Sequence, residues 1–302
     1  MQENNNLFKS GFIGIIGRPN VGKSTFFNVV IGDNISIVAD KPQTTRNKIT
    51  GIKNFPDAQL IFLDTPGIHS PKTPLNRAMV QTARETIGNA EVLLMLIEAN
   101  SDVHRDDIIL IESLAGVKAP VFLVINKIDL VEKKYLLPLI DKYRTLYDYR
   151  EIFPVSALKG DGIADLVTAI KEILPDGPQL FPDDIFTDAT ERFIAAEFIR
   201  EQIMLQTSQE IPYVSAVEVE SFKEDEEKNI IRIHATINVE KESQKAIMIG
   251  KKGAMLKNIG TQSRLRMERL FGARVYLELF VRVKKEWTSS DKMLREFGLL
   301  KK

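Results

Sequence analysis

Gly17-Arg18-Pro19-Asn20-Val21-Gly22-Lys23-Ser24-Thr25 follows an apolar run, Phe12 to Ile16, and leads into Phe26-Phe27-Asn28-Val29-Val30-Ile31. An apolar strand, a glycine-rich turn and a helix form the context in which G-x-x-x-x-G-K-[ST] reads as a phosphate-binding loop. Glycines let the backbone curl so that successive N–H groups point at phosphate oxygens, and the helix N-terminus adds a favourable dipole. Lys23 has the reach for β- and γ-phosphates, and the Ser24 hydroxyl can ligate Mg²⁺. The stretch is read as a nucleotide site.

Working outward, residues 11–174 alternate short apolar runs with helical segments, the pattern of a doubly wound α/β domain. Strands are expected at 12–16, 49–54, 59–63, 91–98, 120–125 and 152–155, and helices at 23–31, 74–88, 105–116, 135–147 and 162–174. Ligands of such folds sit at the carboxyl ends of the strands. Three motifs fall there. The run Leu60–Leu63 ends in Asp64-Thr65-Pro66-Gly67, where a carboxylate can hold Mg²⁺ through water and the Gly67 N–H can meet a γ-phosphate. The run Val121–Ile125 ends in Asn126-Lys127-Ile128-Asp129, whose last carboxylate can accept from guanine N1–H and N2–H₂. Adenine lacks that donor pair, so the carboxylate would stay unpaired. Ile152–Val155 ends in Ser156-Ala157, whose backbone can meet the base O6.

Order and spacing of these motifs resemble the translation-factor-like GTPases, with their Ras-like mixed sheet and helices on both faces. The resemblance implies GTP/GDP and Mg²⁺ as ligands, nucleotide contacts from residues 17–25, 64–68, 126–129, 156 and 157, and Lys23 and Gly67 at the reacting phosphate. In Pro42-Gln43-Thr44-Thr45-Arg46 it implies a threonine that ligates Mg²⁺ only while the γ-phosphate is present. Thr45 is taken for that role, with Thr44 as the alternative; Ser24 and Asp64 complete the metal set. Small signalling GTPases carry a glutamine after the glycine of Asp-x-x-Gly, which orients the attacking water. Here Ile68 stands in its place, followed by His69, which is read as a surface residue. Slow unaided hydrolysis follows. Asn20 resembles the asparagine with which some relatives hold a K⁺ ion in place of an arginine finger.

Pro175-Asp176-Gly177-Pro178 and Pro182-Asp183-Asp184 interrupt the periodic patterns and read as a linker. The chain is thus expected to divide into 10–175, a linker 176–187, and 188–302. In the last part a helix is expected at about 188–206. One of the two strands that follow alternates, with Ile231, Ile233, Ala235, Ile237 and Val239 inward and Arg232, His234, Thr236 and Asn238 outward. The acidic run 224–227 reads as a solvated hairpin tip. Ile247-Met248-Ile249 precedes Gly250-Lys251-Lys252-Gly253, after which a basic helix carries Lys257, Arg264, Arg266 and Arg269. A strand from 275 to 283 and a short helix near 290–297 follow. Small backbone and lysines admit nucleic-acid phosphates closely.

The order helix, strand, strand, helix, G-x-x-G, helix, strand resembles a type II KH domain. One GTPase domain followed by one such domain resembles the bacterial Era family over residues 10–298. That likeness implies RNA contacts from Gly250, Lys251, Lys252, Gly253, Lys257 and Arg264, and the 3′ end of 16S rRNA and the 30S subunit as partners. It also implies a monomer in the cytoplasm with peripheral inner-membrane association.

Composition sets outer limits. The 302 residues hold no cysteine, which removes disulfides, thiolate metal sites and cysteine nucleophiles. Apolar runs are too short to span a bilayer, and the N-terminus lacks the pattern of a signal peptide. Net charge is zero, yet residues 1–179 carry 20 basic and 21 acidic side chains whereas 241–302 carry 16 and 6. That excess of +10 marks the C-terminal part as the partner for a polyanion. Two rival readings stay open at this level: an RNA-binding assembly factor with nucleotide as a structural ligand, and an ATPase of nucleic-acid metabolism, which Asp129 disfavours.

Overall fold

A computed structural model describes residues 7–68, 73–99 and 102–300. The described residues group into two compact units, the first drawn from 7–36, 45–68 and 79–188, the second from 37–44, 73–78 and 189–300.

In the first unit, β1 (Lys9–Ile16), α1 (Lys23–Ile31), β2 (Ile49–Phe55), β3 (Ala58–Asp64), α2 (Pro74–Asn89, of which 79–89 belong to this unit), β4 (Val92–Glu98), α3 (Arg105–Ser113), β5 (Val121–Asn126), α4 (Leu136–Arg144), β6 (Glu151–Pro154) and α5 (Ile163–Ile173) follow in order. The sheet runs β2-β3-β1-β4-β5-β6, with β2 antiparallel to β3 and the other pairs parallel. It is the mixed, Ras-like sheet that the motif order implied. Consecutive residues of the central strands, Leu93 to Ile97 and Val121 to Ile125, are all buried, as both faces of a covered parallel sheet require. One face packs Leu93, Met95, Ile97, Leu123 and Ile125 against Ala83, Leu110, Leu139 and Tyr143 of α2, α3 and α4. On β2, a Cβ at Gly51 would come within 2.6 Å of Phe27 and Ile31 of α1, so only glycine admits that helix. Helix α3 stops three residues before the expected end, at Ser113.

The expected linker does not hang free. Phe186 O accepts from Ile52 N at 2.8 Å, and the buried Gln59 holds Leu180 and Phe181 through three hydrogen bonds of 2.8–2.9 Å. Proline and glycine excluded helix and strand there without excluding a fixed path.

The second unit contains α6 (Glu191–Gln206), β7 (Ala216–Asp225), β8 (Ile230–Val239), α7 (Glu242–Ile249), α8 (Ala254–Phe271), β9 (Arg274–Val283) and α9 (Asp291–Glu296). Its sheet is β7-β8-β9, antiparallel then parallel. Ile231, Ile233, Ala235, Ile237 and Val239 enter the core with Phe198, Ile199, Ile203, Met248, Ile259 and Met267. Thr236 and Asn238 correct the alternation, because both are buried. On the central strand, long acidic neighbours cover them: Thr236 donates to Glu220 at 2.8 Å and Asn238 to Glu218 at 3.4 Å. The acidic run closes a hairpin in which Asn229 takes the left-handed φ of 47°. Residues 37–44 belong to this unit: the Lys41 ammonium donates to the Met204 and Thr207 carbonyls at the end of α6.

Candidate nucleotide and RNA sites

The phosphate loop lies between the end of β1 and α1. Gly17 is held so close to the Leu96 carbonyl that a Cβ would sit 2.5 Å from it, and Gly22 (φ 95°) so close that a Cβ would overlap Asn126 Nδ2. Asn20 takes φ 65° at the exposed turn between them. Lys23 Nζ donates to the carbonyls of Gly17 at 3.1 Å and Arg18 at 3.0 Å, so its side chain arches back over the loop. Burial lowers its pKa from 10.5 to about 8, against the pull of Asp64. Val21 is buried beneath the loop.

Three groups that the sequence set far apart meet beside it. Ser24 Oγ lies 2.9 Å from Thr45 Oγ1 and donates to Asp64 Oδ2 at 2.9 Å; Thr45 Oγ1 is 3.3 Å from the same oxygen. The hydroxyl of Thr44, the alternative, donates to Lys41 O at 2.6 Å. Asp64 is buried, which raises its pKa, while hydrogen bonds from Ser36, Ser24 and Thr45 and the Lys23 charge oppose the rise. Its Oδ1 is buried with no hydrogen-bond partner. One carboxylate, two hydroxyls and an oxygen lacking a donor fit Mg²⁺, which keeps several waters and takes its remaining ligands from phosphates. Ser36 Oγ, 2.7 Å from Asp64 Oδ2, was not singled out by any motif.

Thr65 Oγ1 donates to Ile15 O at 2.7 Å, fixing the turn after β3. A Cβ on Gly67 would fall 2.8 Å from Pro19 N, so this turn approaches the phosphate loop as only glycine can. Ile68 donates its N–H to Gly17 O at 3.2 Å, and its side chain is buried in the core with Leu110 and Ile97. His69 lies outside the described residues.

At the base end, Asn126 Nδ2 donates to Val21 O at 2.8 Å while its Oδ1 accepts from Ala157 N at 2.9 Å. Both ends of this side chain serve the site's own framework. Ser156 Oγ donates to Asp129 Oδ1 at 2.6 Å, and that bond holds the Asp129 carboxyl below its usual range. Ile128 N bonds Val155 O at 3.2 Å, linking the two base-end motifs. Lys127 takes φ 65° and its ammonium reaches Glu98 at 3.2 Å. Glu98 and Asp107, which face Arg18 of the loop, and Tyr143, which donates to Asp107, carry no sequence signature.

In the second unit, the turn Gly250–Gly253 joins α7 to α8. Gly250 (φ 71°) could not carry a Cβ without coming within 2.7 Å of Met255 Cβ. Lys252 takes φ 52°, and Lys251, Lys252 and Lys257 are exposed. Beside the turn lies a groove of about 370 Å³, walled by Leu256, Gly260 and Arg264 of α8 and by Leu277 and Leu279 of β9. Its apolar floor and basic rim suit splayed bases and phosphates. Arg264 is braced by Glu268 at 3.1 Å. Arg266 departs from the basic face: it turns inward, pairs with Glu201 and lies 4.4 Å over the Phe198 ring.

Residues 12–127 match the family described as 50S ribosome-binding GTPase, and residues 210–288 match the KH domain. The chain is 60% identical to GTPase Era of Syntrophus aciditrophicus (strain SB), over 97% of its own length and 95% of that protein's. The chain belongs to the Era family of GTPases. Era of Aquifex aeolicus, in a crystal structure of a tyrosine-to-alanine variant bound to GDP·AlF₄⁻, superposes with a TM-score of 0.93 at 41% identity, covering 97% of this chain and all of that one. A second Era structure, in complex with MgGDPNP and nucleotides 1506–1542 of 16S ribosomal RNA, gives 0.92 at 40% identity, covering 97% and 99%. Like these Era proteins, the chain joins a GTPase domain to a C-terminal KH domain. Among the described residues no helix is long and apolar enough to cross a membrane.

Proposed function

We propose that the chain hydrolyses GTP at the loop 17–25 and binds the 3′ end of 16S rRNA through the Gly250–Gly253 turn and its groove. By this reading it acts in assembly of the 30S subunit, with residues 10–175 and 188–302 as the working domains. The observation that carries the enzymatic half is the convergence of Ser24, Thr45 and Asp64 beside Lys23. Water attacks the γ-phosphorus; the new P–O bond forms as the bond to the β–γ bridging oxygen breaks, GDP leaves with that electron pair, and the protons of the water stay with the phosphate, one of them moving to a γ-oxygen. Lys23 and the N–H groups of the loop and Gly67 meet the charge that develops on the phosphate oxygens. Ser24, Thr45 and Asp64 would hold Mg²⁺, which when bound neutralises charge on the β- and γ-oxygens. Thr45 is a residue that release of the γ-phosphate would free, which makes it the switch.

The buried Ile68 supplies no polar atom to water, so unaided turnover is slow. Asn20, on the exposed side of the loop, is the residue we assign to a K⁺ ion. The RNA half draws on the groove, its lysines and the C-terminal charge of +10. Turnover measured with and without 30S subunits tests the whole reading, and crosslinking with sequencing of bound RNA tests the partner. If subunits leave turnover unchanged, nucleotide is mainly a structural ligand.

A further inference from the structure

Glu98 is the last residue of β4, and the parallel register sets it opposite Asn126, the last residue of β5. Its two carboxylate oxygens serve two different motifs. Oε2 accepts from Arg18 Nη2 at 3.3 Å, and Oε1 accepts from Lys127 Nζ at 3.2 Å. The other side of the Arg18 guanidinium faces Asp107, with Nε 3.5 Å from Oδ2, and Tyr143 OH donates to that same oxygen at 2.9 Å. Asp107 is buried in the first turn of α3, so this support has little freedom to move. The Arg18 carbonyl in turn accepts from Lys23 Nζ at 3.0 Å. A continuous path therefore runs from the lysine of the base motif, through Glu98 and Arg18, to the lysine that meets the phosphates.

We propose that Glu98 is a positioning residue that joins the phosphate loop to the base motif, with Asp107 and Tyr143 as the rear support of Arg18. This rests on reading 17–25 and 126–129 as the nucleotide contacts. The chemistry favours it over a surface ion pair of no consequence. An exposed pair between two long side chains is worth little, but a carboxylate shared between two cations, one of them backed by a buried acid, fixes both in one geometry. Asparagine at 126 supplies the backbone part of the same link, and Glu98 supplies the charged part.

The test uses the full chain with Mg²⁺ and a fluorescent N-methylanthraniloyl GDP whose dissociation is followed by stopped flow. Glu98→Gln keeps shape and removes charge; dissociation is expected to quicken about tenfold, Glu98→Asp to recover part of the loss, and the melting temperature of the nucleotide-free protein to stay within ~2 °C of the parent. In Arg18→Gln and Lys127→Met backgrounds the effect of Glu98→Gln should shrink, since its partners are gone, whereas a residue acting only on stability would add the same loss in each. Dissociation within twofold of the parent, or an equal loss in all three backgrounds, overturns the proposal. Lys23→Ala is the control for the site itself: if it leaves binding intact the nucleotide assignment fails, and if it abolishes binding while Glu98→Gln does nothing, the positioning role fails alone.

Discussion

Asn126 donates to the Val21 carbonyl at 2.8 Å, which fastens the end of β5 to the middle of the phosphate loop. The residue is buried, and its other end holds the Ala157 N–H. Asn126→Ala would strand a carbonyl and an N–H in the interior, a loss of about 1–3 kcal/mol for each group left unsatisfied. The expected outcome is a lower melting temperature without nucleotide together with weaker GDP binding. Denaturant unfolding and calorimetric titration on the same preparation check both, and a fall in affinity with no loss of stability would contradict the structural role.

Asp129 sits with one oxygen on Ser156, leaving the rest of its carboxylate for a donor pair. Asp129→Asn replaces an acceptor by a group that donates. GTP binding should fall by about two orders of magnitude or more, and xanthosine triphosphate, which carries an oxo group at C2, should bind better than it does to the parent. Unchanged GTP affinity in a calorimetric titration would remove Asp129 from base recognition.

Lys23 gives a pH signature in the nucleotide-free protein kept in chelator. Its folded pKa is about 8 against an ordinary 10.5, with burial as the main cause. Below pH 8 the folded state holds a desolvated ammonium and carries the whole cost. Between 8 and 10.5 the unfolded chain binds more protons, so stability contributed by this group rises with pH. Comparison with Lys23→Met cancels the other titrating groups. The parent should gain on the variant by roughly 3 kcal/mol across that window. Parallel stability curves from pH 7.5 to 10.5 would deny the shift.

Some of this was legible in the chain and some was not, for physical reasons. The loop 17–25, Asp64–Gly67, Asn126–Asp129 and Ser156-Ala157 announce themselves because each role admits few residue types and each stands at a strand end, where periodicity stops. The alternation gave an α/β domain, and the mixed sheet came only with the resemblance that those motifs carry; the antiparallel pairing of β2 with β3 leaves no mark in the apolar pattern. Ser36, Glu98 and Asp107 were silent, since a serine or carboxylate on a loop or strand end looks like any other until the register brings it to Asp64 or Arg18. Thr236, Asn238 and Arg266 misled in the opposite sense. Their polarity argued for solvent, and neighbours on the adjoining strand or helix supplied the partners that let them be buried.

Lys251 and Lys252 stand exposed on a turn whose left-handed residues bring the backbone outward. Replacing both by Asp should weaken binding of the 16S 3′-end RNA by more than about tenfold at moderate salt, and should flatten the slope of log affinity against log salt. GTP turnover without RNA should match the parent. Filter binding across a salt series checks this, and affinity within twofold would move the RNA surface off the turn.

The last expectation concerns charge at the β–γ bridge. In small signalling GTPases the glutamine after this glycine orients the attacking water, but here position 68 is buried among Leu110 and Ile97 and gives nothing to water. Ile68→Gln should therefore cost stability, about 2–4 kcal/mol for a polar group forced into that cluster, without quickening hydrolysis. The missing positive charge has to come from another source. Asn20, held at φ 65° on the exposed turn of the loop, offers a side-chain oxygen of the kind that binds a monovalent cation. An arginine finger is worth 10³–10⁵ in other GTPases, and a K⁺ ion in its place should supply roughly tenfold or more. Turnover is thus expected to be faster in KCl than in NaCl, and Asn20→Ala should erase the difference. Equal ionic strength in the two salts is required, because screening alone would otherwise imitate a cation effect. Identical rates in both salts would discard the ion and leave a partner-supplied group as the better account.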